Sequence, residues 1–560
     1  PVTLFVDRQA DPMNISLVGN SGSGRAAYVG KHFNIKGIGK TVLATSSDPE
    51  RSNGFLDLVG SLWEMLCSNS LRTSLQTGTS PALAVIDLKN DVKVPWFNDA
   101  IPSGMIIRLD LQGELDRPAH LFYRQQPVSG EQMKYIARAF GAQDAEKFIE
   151  RIVHGGWSAG NISVHGSLID YDSVFAVRGR APQWSFRPNW PSGYFGLESQ
   201  GQKILLKAMA EDLINADSIS PETLNQCFDQ ARRTQMRARF LDLVGLNSAA
   251  LQEKAFSAIE MAVPQLVEAF ETLAMKMYPN FRATAAWDAE NHTLSVYDLS
   301  RFFRFYPLAR RSGSISETEV LQLIRNPFGA FKSSEETREG GMPEKVRQTL
   351  LEQFAITSPQ QLHECDRRAM AFVTDYERFL AMIEREMPDA VAQIPARAYV
   401  VNEERTYLNS RPGHDTIIAL MQRYRAGQIS AGRFGDFLQL LVDACNRIPK
   451  PDSKGRFQAD FRIFQEGYTS TLIDPSGWWQ PRLTLFPEFS GNQPSAAEWQ
   501  CESFDGKLCP CSLEHDGDRL HVVGDSRSLT TLLSENVTAR FWRNSEELVL
   551  HKIARLDRNQ

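Results

Sequence analysis

Apolar and polar positions along residues 1 to about 90 predict short strands around a single helix. Four runs of strand length lie there, at 15–18, 26–29, 33–36 and 82–88. Between the third and fourth runs, Leu58, Leu62 and Leu66 recur every four residues, which is the spacing of an amphipathic helix. The predicted order is therefore strand, glycine-containing turn, two strands, helix and strand.

From about 100 to 450 the pattern is mainly helical. Apolar residues recur at three- or four-residue spacing in the segments 201–214, 255–278 and 415–424. A shorter helix is predicted after Ser316, because Glu319 follows three residues later and completes a capping box ahead of an apolar run. Pro264 is expected to kink or end the helix in which it lies.

Beyond about residue 449, short alternating runs are separated by Gly, Pro, Asn and Asp, which is typical of strands and turns. These runs lie at 482–486, 519–523, 538–542 and 547–550. The sequence therefore predicts an α+β protein in three parts: a β-rich lobe at 1–95, a mainly helical lobe at 96–450, and a β-rich module at 451–560.

The composition argues against several classes of protein. Of the 560 residues, 42% are hydrophobic and 23% are charged, as in ordinary globular proteins. The net charge of −6 argues against a nucleic-acid-binding protein, and the lack of a long apolar run argues against a membrane protein. The seven cysteines are odd in number and mostly isolated, and the first residues lack the order of a secretory signal. A cytoplasmic location is therefore predicted.

The first hundred residues contain three features that fit nucleotide binding. Gly22 and Gly24 permit a tight turn whose N–H groups can face phosphate oxygens, and Arg25 adds a positive charge there. Lys36 follows on the next strand and Glu64 on the next helix. Each feature alone also fits a simple hairpin turn or a solvated side chain. Together they match the small lobe of a protein kinase, in which a strand lysine contacts phosphates and pairs with a helix glutamate.

A second cluster supplies ligands suited to a magnesium ion. His154 and two glycines precede Asn161, and Asp170 follows nine residues after that asparagine. An amide oxygen and a carboxylate are hard ligands that suit Mg²⁺ bridging phosphates. The same stretch also fits a loop hairpin with polar tips, and His154 taken alone is predicted to be a structural, hydrogen-bonded histidine.

These motifs, in this order, resemble the selenoprotein-O family of kinase-fold protein adenylyltransferases. The matched stretches lie between about residues 15 and 246. In the first hundred residues they are similar to the family's glycine–arginine loop (22–26), its Lys-Gly segment (36–39), its acidic position (Asp48) and its Glu-containing helix (61–68). Further along the chain they are similar to its two arginines (Arg108 and Arg117), its His-Gly…Asn loop (154–161) and its Ile-Asp-Tyr segment (169–171), with weaker likeness at 195–197 and 236–246.

The resemblance implies a two-lobed, protein-kinase-like core that binds Mg²⁺ and ATP and transfers AMP to a hydroxyl of a protein or peptide. It implies that Lys36, Arg108 and Arg117 contact phosphates and that Glu64 positions Lys36. It also implies that Asn161 and Asp170 hold Mg²⁺. Four further residues would complete the nucleotide site: Gly22, Gly24, Arg25 and Asp48.

The sequence departs from the family at three positions. Gly160 stands where the family has an aspartate directly before the metal-binding asparagine, and glycine cannot accept a proton. Pro49 follows Asp48 in place of a glycine, and Asp172 follows Tyr171 in place of another. We expect Asp172 to substitute as the catalytic base.

The C-terminal module contains a second group of potential ligands. Cys501, Cys509, Cys511 and His515 fall within fifteen residues, and thiolates with an imidazole suit zinc. Their spacing differs from the usual Cys-x-x-Cys, so unpaired or redox-active thiols in a β-turn are favoured and zinc binding is the alternative.

The sequence alone leaves three functions open. The leading hypothesis is a Mg²⁺- and ATP-dependent transferase that moves AMP to a protein or peptide. Gly160 favours a second hypothesis, a catalytically impaired pseudokinase that serves as a nucleotide-binding or scaffolding module. A phosphotransferase for small molecules is the third, although it would require a catalytic-loop aspartate where Gly160 stands.

Overall fold

The computed structural model forms two compact units. Unit 1 comprises residues 1–174, 190–235 and 417–443, and unit 2 comprises 175–189, 236–416 and 444–560. The residues that the structure describes are 4–6, 25–29, 32–40, 53–72, 75–93, 100–111, 115–124, 127–154, 159–171, 174–176, 186–187, 190–191, 195–213, 219–246, 257–278, 295–312, 315–326, 352, 354–388, 391, 394, 398, 401–402, 421–422, 424–428, 430–432, 434–435, 438, 460–465, 470–473, 480–481, 499–502, 508–516, 519–524, 538–543 and 546–553.

Unit 1 begins with an antiparallel sheet. Its strands are β1 (Leu4–Val6), β2 (Ala26–Val29), β3 (Phe33–Lys36), β4 (Leu56–Asp57), β5 (Ala82–Val92) and β6 (Ile101–Leu109). They follow the order β1-β2-β3-β6-β4, and β5 also pairs with β6. The predicted strands at 26–29, 33–36 and 82–88 are confirmed, and the one at 15–18 lies outside the described residues. Because β6 belongs to this sheet, the sheet continues beyond residue 95, the predicted end of the first lobe.

The predicted amphipathic helix is confirmed as α1 (Leu58–Arg72). Leu58, Leu62 and Leu66 are all buried, as their spacing requires. The helix approaches strand β6 closely at Gly104, where an added Cβ would lie 2.9 Å from Ser61 Oγ. Glycine at this position therefore lets α1 pack directly on the sheet.

Unit 1 continues with helices α2 (Pro118–Arg124), α3 (Gly130–Glu150), α4 (Phe195–Leu213) and the larger part of α5 (Pro221–Leu243). Between α3 and α4 along the chain, unit 1 contains the short strands β7 (Ile152–Val153) and β10 (Trp190–Pro191), whereas β8 (Phe175–Ala176) and β9 (Phe186–Arg187) belong to unit 2. Helix α3 begins at a capping box formed by Ser129 and Gln132. Phe140, Leu206 and Phe228 are buried in one core cluster among α3, α4 and α5. The predicted helix at 201–214 is thus confirmed up to Leu213 within α4, and residue 214 lies outside the described residues.

Replacement of Gly141 in α3 with alanine is expected to lower the free energy of unfolding by about 1–3 kcal/mol. Alanine normally stabilises a helix interior by roughly 0.5–1 kcal/mol relative to glycine. Here, however, the new Cβ would lie 2.2 Å from the Phe228 carbonyl oxygen, so the two helices would have to separate. Urea unfolding measures the change. The control Gly432→Ala, whose Cβ would lie 3.9 Å from Ser430 Oγ and no closer to any other side chain that the structure describes, is expected to have little effect. Equal stability of both variants would contradict the close packing of α3 and α5.

A later segment of the chain returns to strand β5 in unit 1. Arg425 donates hydrogen bonds of 2.8 Å to Asp87 and to Asp91, and Lys89 lies over the Tyr424 ring. Burial raises the pKa of Asp87, but hydrogen bonds from Arg425 and Lys89 outweigh it and lower that pKa to about 2. The predicted helix at 415–424 falls mostly outside the described residues, although 421, 422 and 424 are helical.

Unit 2 contains the end of α5 and helices α6 (Ser257–Ala274), α7 (Leu299–Ser312), α8 (Glu317–Ile324) and α9 (Pro359–Glu386). The capping box of Ser316 and Glu319 is confirmed at the start of α8. Helix α6 continues past Pro264 to Ala274, so the proline does not end it. The core of this unit is aromatic, with ring contacts among residues from α5, α6, α7 and α9: Phe240, Phe270, Phe302, Phe303, Tyr306, Phe372 and Tyr376.

The described residues from 460 to 553 form an eight-stranded antiparallel sheet in unit 2. Its strands are β11 (Asp460–Gln465), β12 (Ser470–Ile473), β13 (Gln480–Pro481), β14 (Trp499–Glu502), β15 (Leu508–Asp516), β16 (Arg519–Gly524), β17 (Thr538–Arg543) and β18 (Glu546–Ile553). Their order is β12-β11-β18-β17-β14-β15-β16, and β13 also pairs with β18. The predicted strands at 519–523, 538–542 and 547–550 are confirmed, and 482–486 lies outside the described residues.

The α+β class predicted from the sequence is confirmed. Within the described residues, no helix has both the length and the apolar composition needed to cross a membrane.

Candidate functional site

A buried lysine bridges two carboxylates in unit 1. The ammonium of Lys36 donates to Glu64 Oε2 at 2.7 Å and to Asp170 Oδ1 at 2.8 Å. The side chains of Lys36 and Glu64 are 5% and 4% exposed, whereas that of Asp170 is 26% exposed. The structure therefore brings together three of the residues predicted for the site, and Asp170 is the one most open to solvent.

The sheet aligns a second cation with Glu64. Asn34 stands opposite Arg108 in the pairing of β3 with β6, and Asn34 shares a face of β3 with Lys36 because it lies two residues away. The Arg108 guanidinium donates to Asn34 Oδ1 at 2.5 and 3.2 Å and to Glu64 Oε1 at 3.3 Å. Glu64 thus accepts bonds from two buried cations, one on each oxygen. In this arrangement Arg108 holds Glu64 and Asn34, and its predicted contact with phosphate stays a prediction.

Asn161 and Asp170 stand at the open end of a small hairpin. Ile162 and Leu168 form an antiparallel bridge, and the Ile169 N–H donates to the Asn161 carbonyl at 3.0 Å. Inside the turn, Ser163 Oγ accepts from the Ser167 N–H at 2.9 Å. Asn161 therefore stands opposite Ile169, the residue directly before Asp170, and both predicted magnesium ligands belong to the base of one hairpin.

Asp170 has a left-handed backbone, with φ of +67°. This conformation is uncommon for a residue other than glycine and costs about 1–2 kcal/mol. Such strain persists where the surrounding structure enforces it, and it is concentrated at functional sites. In this case Tyr171 provides the constraint, because it is anchored on both sides.

Tyr171 ties the hairpin to helix α1. Its hydroxyl donates to the Leu168 carbonyl at 2.6 Å and accepts the Ser80 N–H at 2.9 Å. Its own carbonyl accepts the indole N–H of Trp63 at 3.2 Å. Burial raises the pKa of Tyr171, so the phenol remains protonated and can donate. Trp63 stands beside Glu64 in α1, so one helix positions both Lys36 and the segment that carries Asp170.

His154 supports the same segment from the other side. Its Nε2–H donates to the Ile169 carbonyl at 2.9 Å, and its backbone N–H donates to Glu198 Oε1 at 3.1 Å. Glu198 also accepts from Lys147 at 2.7 Å, and this ion pair is buried. Burial lowers the pKa of His154. The structural role that the sequence suggested for this histidine agrees with its contacts.

The buried imidazole predicts a loss of stability in mild acid. Below about pH 6.5 the unfolded chain protonates His154, whereas the folded chain keeps it neutral because its pKa is lowered. The unfolded state then binds more protons, so the free energy of unfolding falls as the pH falls, by up to about 1.4 kcal/mol per pH unit. Urea unfolding between pH 8 and 5 measures this slope. The slope is expected to become shallower in His154→Gln and to stay unchanged in the control Ser167→Ala, which removes a partly buried hydrogen bond but no titrating group. Equal slopes in all three proteins would contradict the assignment.

Arg117 and Arg25, the other two basic residues predicted for the site, lie on segments next to the elements that carry Lys36 and Asp170. The segment that carries the buried Arg117 borders the hairpin, since the Asp116 carbonyl accepts the Val164 N–H at 2.8 Å. Arg25 lies directly before strand β2, where its guanidinium donates to the Phe55 carbonyl at 3.2 Å and its carbonyl accepts the Gly37 N–H at 2.8 Å.

Four of the predicted site residues lie outside the described residues: Gly22, Gly24, Asp48 and Asp172. Their roles in phosphate binding and as a base stay predictions.

The chemistry of the described ligands fits a hard metal ion bound together with phosphate. Asp170 offers a carboxylate that is partly open to solvent, and Asn161 lies across the hairpin from Ile169, the residue before Asp170. Two protein ligands are typical of Mg²⁺ in nucleotide sites, because substrate phosphates and water complete the shell. Among the described residues, no group of three or more His, Cys, Asp or Glu side chains is placed to hold a metal ion without such help.

Sequence reasoning missed the residues that hold the site together. Asn34 could have been found, because its position two residues before Lys36 places it on the same face of β3. The bonds from Trp63 and Ser80 to Tyr171 join positions 108 and 91 residues apart, and no local pattern signals them.

Comparison with models of known protein families found no match for this chain, and neither did a search of curated proteins.

Proposed function

We propose that the chain is a Mg²⁺- and ATP-dependent transferase of protein-kinase-like fold that transfers AMP to a hydroxyl of a protein or peptide. The observation that carries this proposal is the buried Lys36 held between Glu64 and Asp170. A lysine on a strand, a glutamate on the next helix and an aspartate on a later loop are the groups with which kinase-like enzymes hold nucleotide phosphates and metal.

Lys36 is suited to bind a phosphate without leaving Glu64. An ammonium group has three donors, and the two carboxylates occupy two of them. Since Asp170 is the more exposed partner, it can exchange Lys36 for another ligand while Glu64 keeps the ammonium in place. Arg108 supports this arrangement by fixing the second oxygen of Glu64.

Asn161 and Asp170 are the residues that would hold Mg²⁺. Bound Mg²⁺ and ATP would supply a phosphoanhydride whose negative charge is neutralised for attack by a hydroxyl. Asp172 is our candidate for the group that accepts the proton of that hydroxyl, since Gly160 has no side chain to do so. The choice of AMP over the terminal phosphate rests on the resemblance to the selenoprotein-O family.

A second function is favoured by Gly160. A chain that binds nucleotide but lacks the usual base would act as a pseudokinase, either as a nucleotide-binding module or as a scaffold. Positioning and charge stabilisation supply most of the catalysis in such transfers, so the missing aspartate does not by itself decide between the two functions.

The deciding experiment uses ATP labelled at either the α or the γ phosphate. The full chain is incubated with Mg²⁺, each form of ATP and a mixture of candidate acceptor proteins, and protein-bound label is counted. Label retained from the α position alone supports AMP transfer, and label from the γ position alone would show a kinase. Nucleotide binding with transfer of neither label would identify the pseudokinase.

Two matched lysine variants test whether nucleotide binding depends on Lys36 in particular. Lys36→Met is expected to abolish nucleotide binding, whereas Lys207→Met, on an exposed lysine of α4, is expected to leave it unchanged. Wild-type protein that binds no nucleotide, or equal binding by both variants, would refute the proposed site.

A further inference from the structure

Three of the seven cysteines come together in the C-terminal sheet. Cys501 lies in β14, and Cys509 and Cys511 lie in β15, which pairs with β14 in antiparallel register. In that register Cys501 stands directly opposite Cys509, and Trp499 stands opposite Cys511. The fold therefore aligns cysteines that are eight and ten positions apart in the chain.

All three cysteines belong to the same face of the sheet. Residues directly opposite each other on paired strands share a face, and so do residues two apart along one strand. Cys501 thus shares a face with Cys509, and Cys509 shares it with Cys511.

Backbone distances favour one of the possible pairs. Residues directly opposite in an antiparallel pair have Cα atoms about 4.5 or 5.5 Å apart, depending on the hydrogen-bonding position. Both values lie within the range of about 4.4–6.8 Å in which a disulfide forms. The diagonal pair of Cys501 and Cys511 would be about 7–8 Å apart, which is too far. Cys509 and Cys511, two residues apart on one strand, are separated by about 6.6 Å, near the upper limit.

A zinc site fits the same backbone less well. Zinc is bound by four ligands in a tetrahedron, and this group of cysteines offers three. His515 lies on the same strand face but four residues beyond Cys511, which places its Cα about 13 Å away. The register therefore favours a disulfide over a metal.

We propose that Cys501 and Cys509 form a reversible cross-strand dithiol–disulfide pair. A small-molecule disulfide such as oxidised glutathione serves as the oxidant. One cysteine thiolate attacks a sulfur of glutathione disulfide, forms a mixed disulfide and releases one glutathione thiolate; the second cysteine thiolate then attacks the protein sulfur and releases the other. The two protein thiols lose two electrons and two protons, and one glutathione disulfide becomes two glutathione thiols.

The test uses the full-length chain equilibrated with mixtures of reduced and oxidised glutathione. Free thiols are alkylated under denaturing conditions, the chain is digested with trypsin, and the peptides are identified by mass spectrometry. Trypsin cuts after Lys507, so Cys501 and Cys509 fall on separate peptides that remain joined only when the disulfide is present. The linked pair is expected to increase with the proportion of oxidised glutathione and to disappear when reduced glutathione is added back. Cys67 and Cys365, which are buried, serve as internal controls and are expected to stay reduced and become alkylated.

Cys509 and Cys511 lie on the same tryptic peptide, so two variants are needed to show which of them is linked to Cys501. Cys511→Ser is expected to keep the linked pair and Cys509→Ser to lose it. The proposal is overturned by a linked pair that survives in Cys509→Ser or by its absence at every glutathione ratio. Stoichiometric zinc that is retained through purification and blocks alkylation would also overturn it.

Discussion

Replacement of Glu64 with alanine is expected to lower the free energy of unfolding by about 3–5 kcal/mol. Glu64 is the carboxylate shared by Lys36 and Arg108, and all three side chains are almost fully buried. Without Glu64, Lys36 still has Asp170 as a charged partner. Arg108 loses the carboxylate and keeps its hydrogen bonds to Asn34, which is neutral and cannot balance the charge of the guanidinium. Leaving a buried charge without its partner is far more costly than losing an exposed ion pair, which contributes about 0–1 kcal/mol.

Urea unfolding of two further variants shows whether charge or shape is responsible. Glu64→Gln keeps the size of the side chain and one acceptor oxygen, so its loss of stability is expected to be smaller than that of Glu64→Ala. Glu131→Ala removes a glutamate whose side chain is 77% exposed in its ion pair with Lys134, and it is expected to change stability by less than about 1 kcal/mol. A small effect of Glu64→Ala, similar to that of Glu131→Ala, would show that the cluster does not stabilise the fold.

The elements that carry the cluster could be predicted from the sequence because their signals are local. Leu58, Leu62 and Leu66 define α1 by their spacing, and alternation defines β3, so the sequence places Lys36 and Glu64 each in the correct kind of element. Their order along the chain then suggests that they meet, and the structure joins them at 2.7 Å.

The rest of the site depends on contacts between distant parts of the chain. The contact of Arg108 with phosphate stays a prediction, but its position opposite Asn34 could not be predicted, because strand register is not visible in a single sequence. The left-handed backbone of Asp170 could not be predicted either, because local propensity disfavours it and tertiary contacts through Tyr171 enforce it. Gly141 resembles an ordinary weak position in a helix, since nothing near it in sequence signals that α5 packs against it.

Three substitutions of Asp170 are expected to separate backbone strain from chemistry. Asp170→Gly and Asp170→Ala both lose the bond to Lys36, but the glycine variant is also relieved of the cost of the left-handed conformation, about 1–2 kcal/mol, whereas the alanine variant keeps it. Asparagine tolerates this conformation better than alanine does. Urea unfolding is therefore expected to rank Asp170→Gly as the most stable of the three variants, Asp170→Asn as the next and Asp170→Ala as the least stable.

The same variants are expected to lose transfer activity regardless of their stability. If Asp170 holds the metal, each variant lacks the carboxylate and should transfer label from ATP at least about 100-fold more slowly than the wild type. The glycine variant is the informative one, because it is expected to be the most stable of the three, and a variant that urea unfolding shows to be folded under the assay conditions cannot owe its defect to unfolding. Asp229→Asn, on an aspartate paired with Lys203 at the surface of unit 1, is the matched control and is expected to keep full activity. An active Asp170→Gly variant would show that the backbone conformation, rather than the carboxylate, is what position 170 contributes.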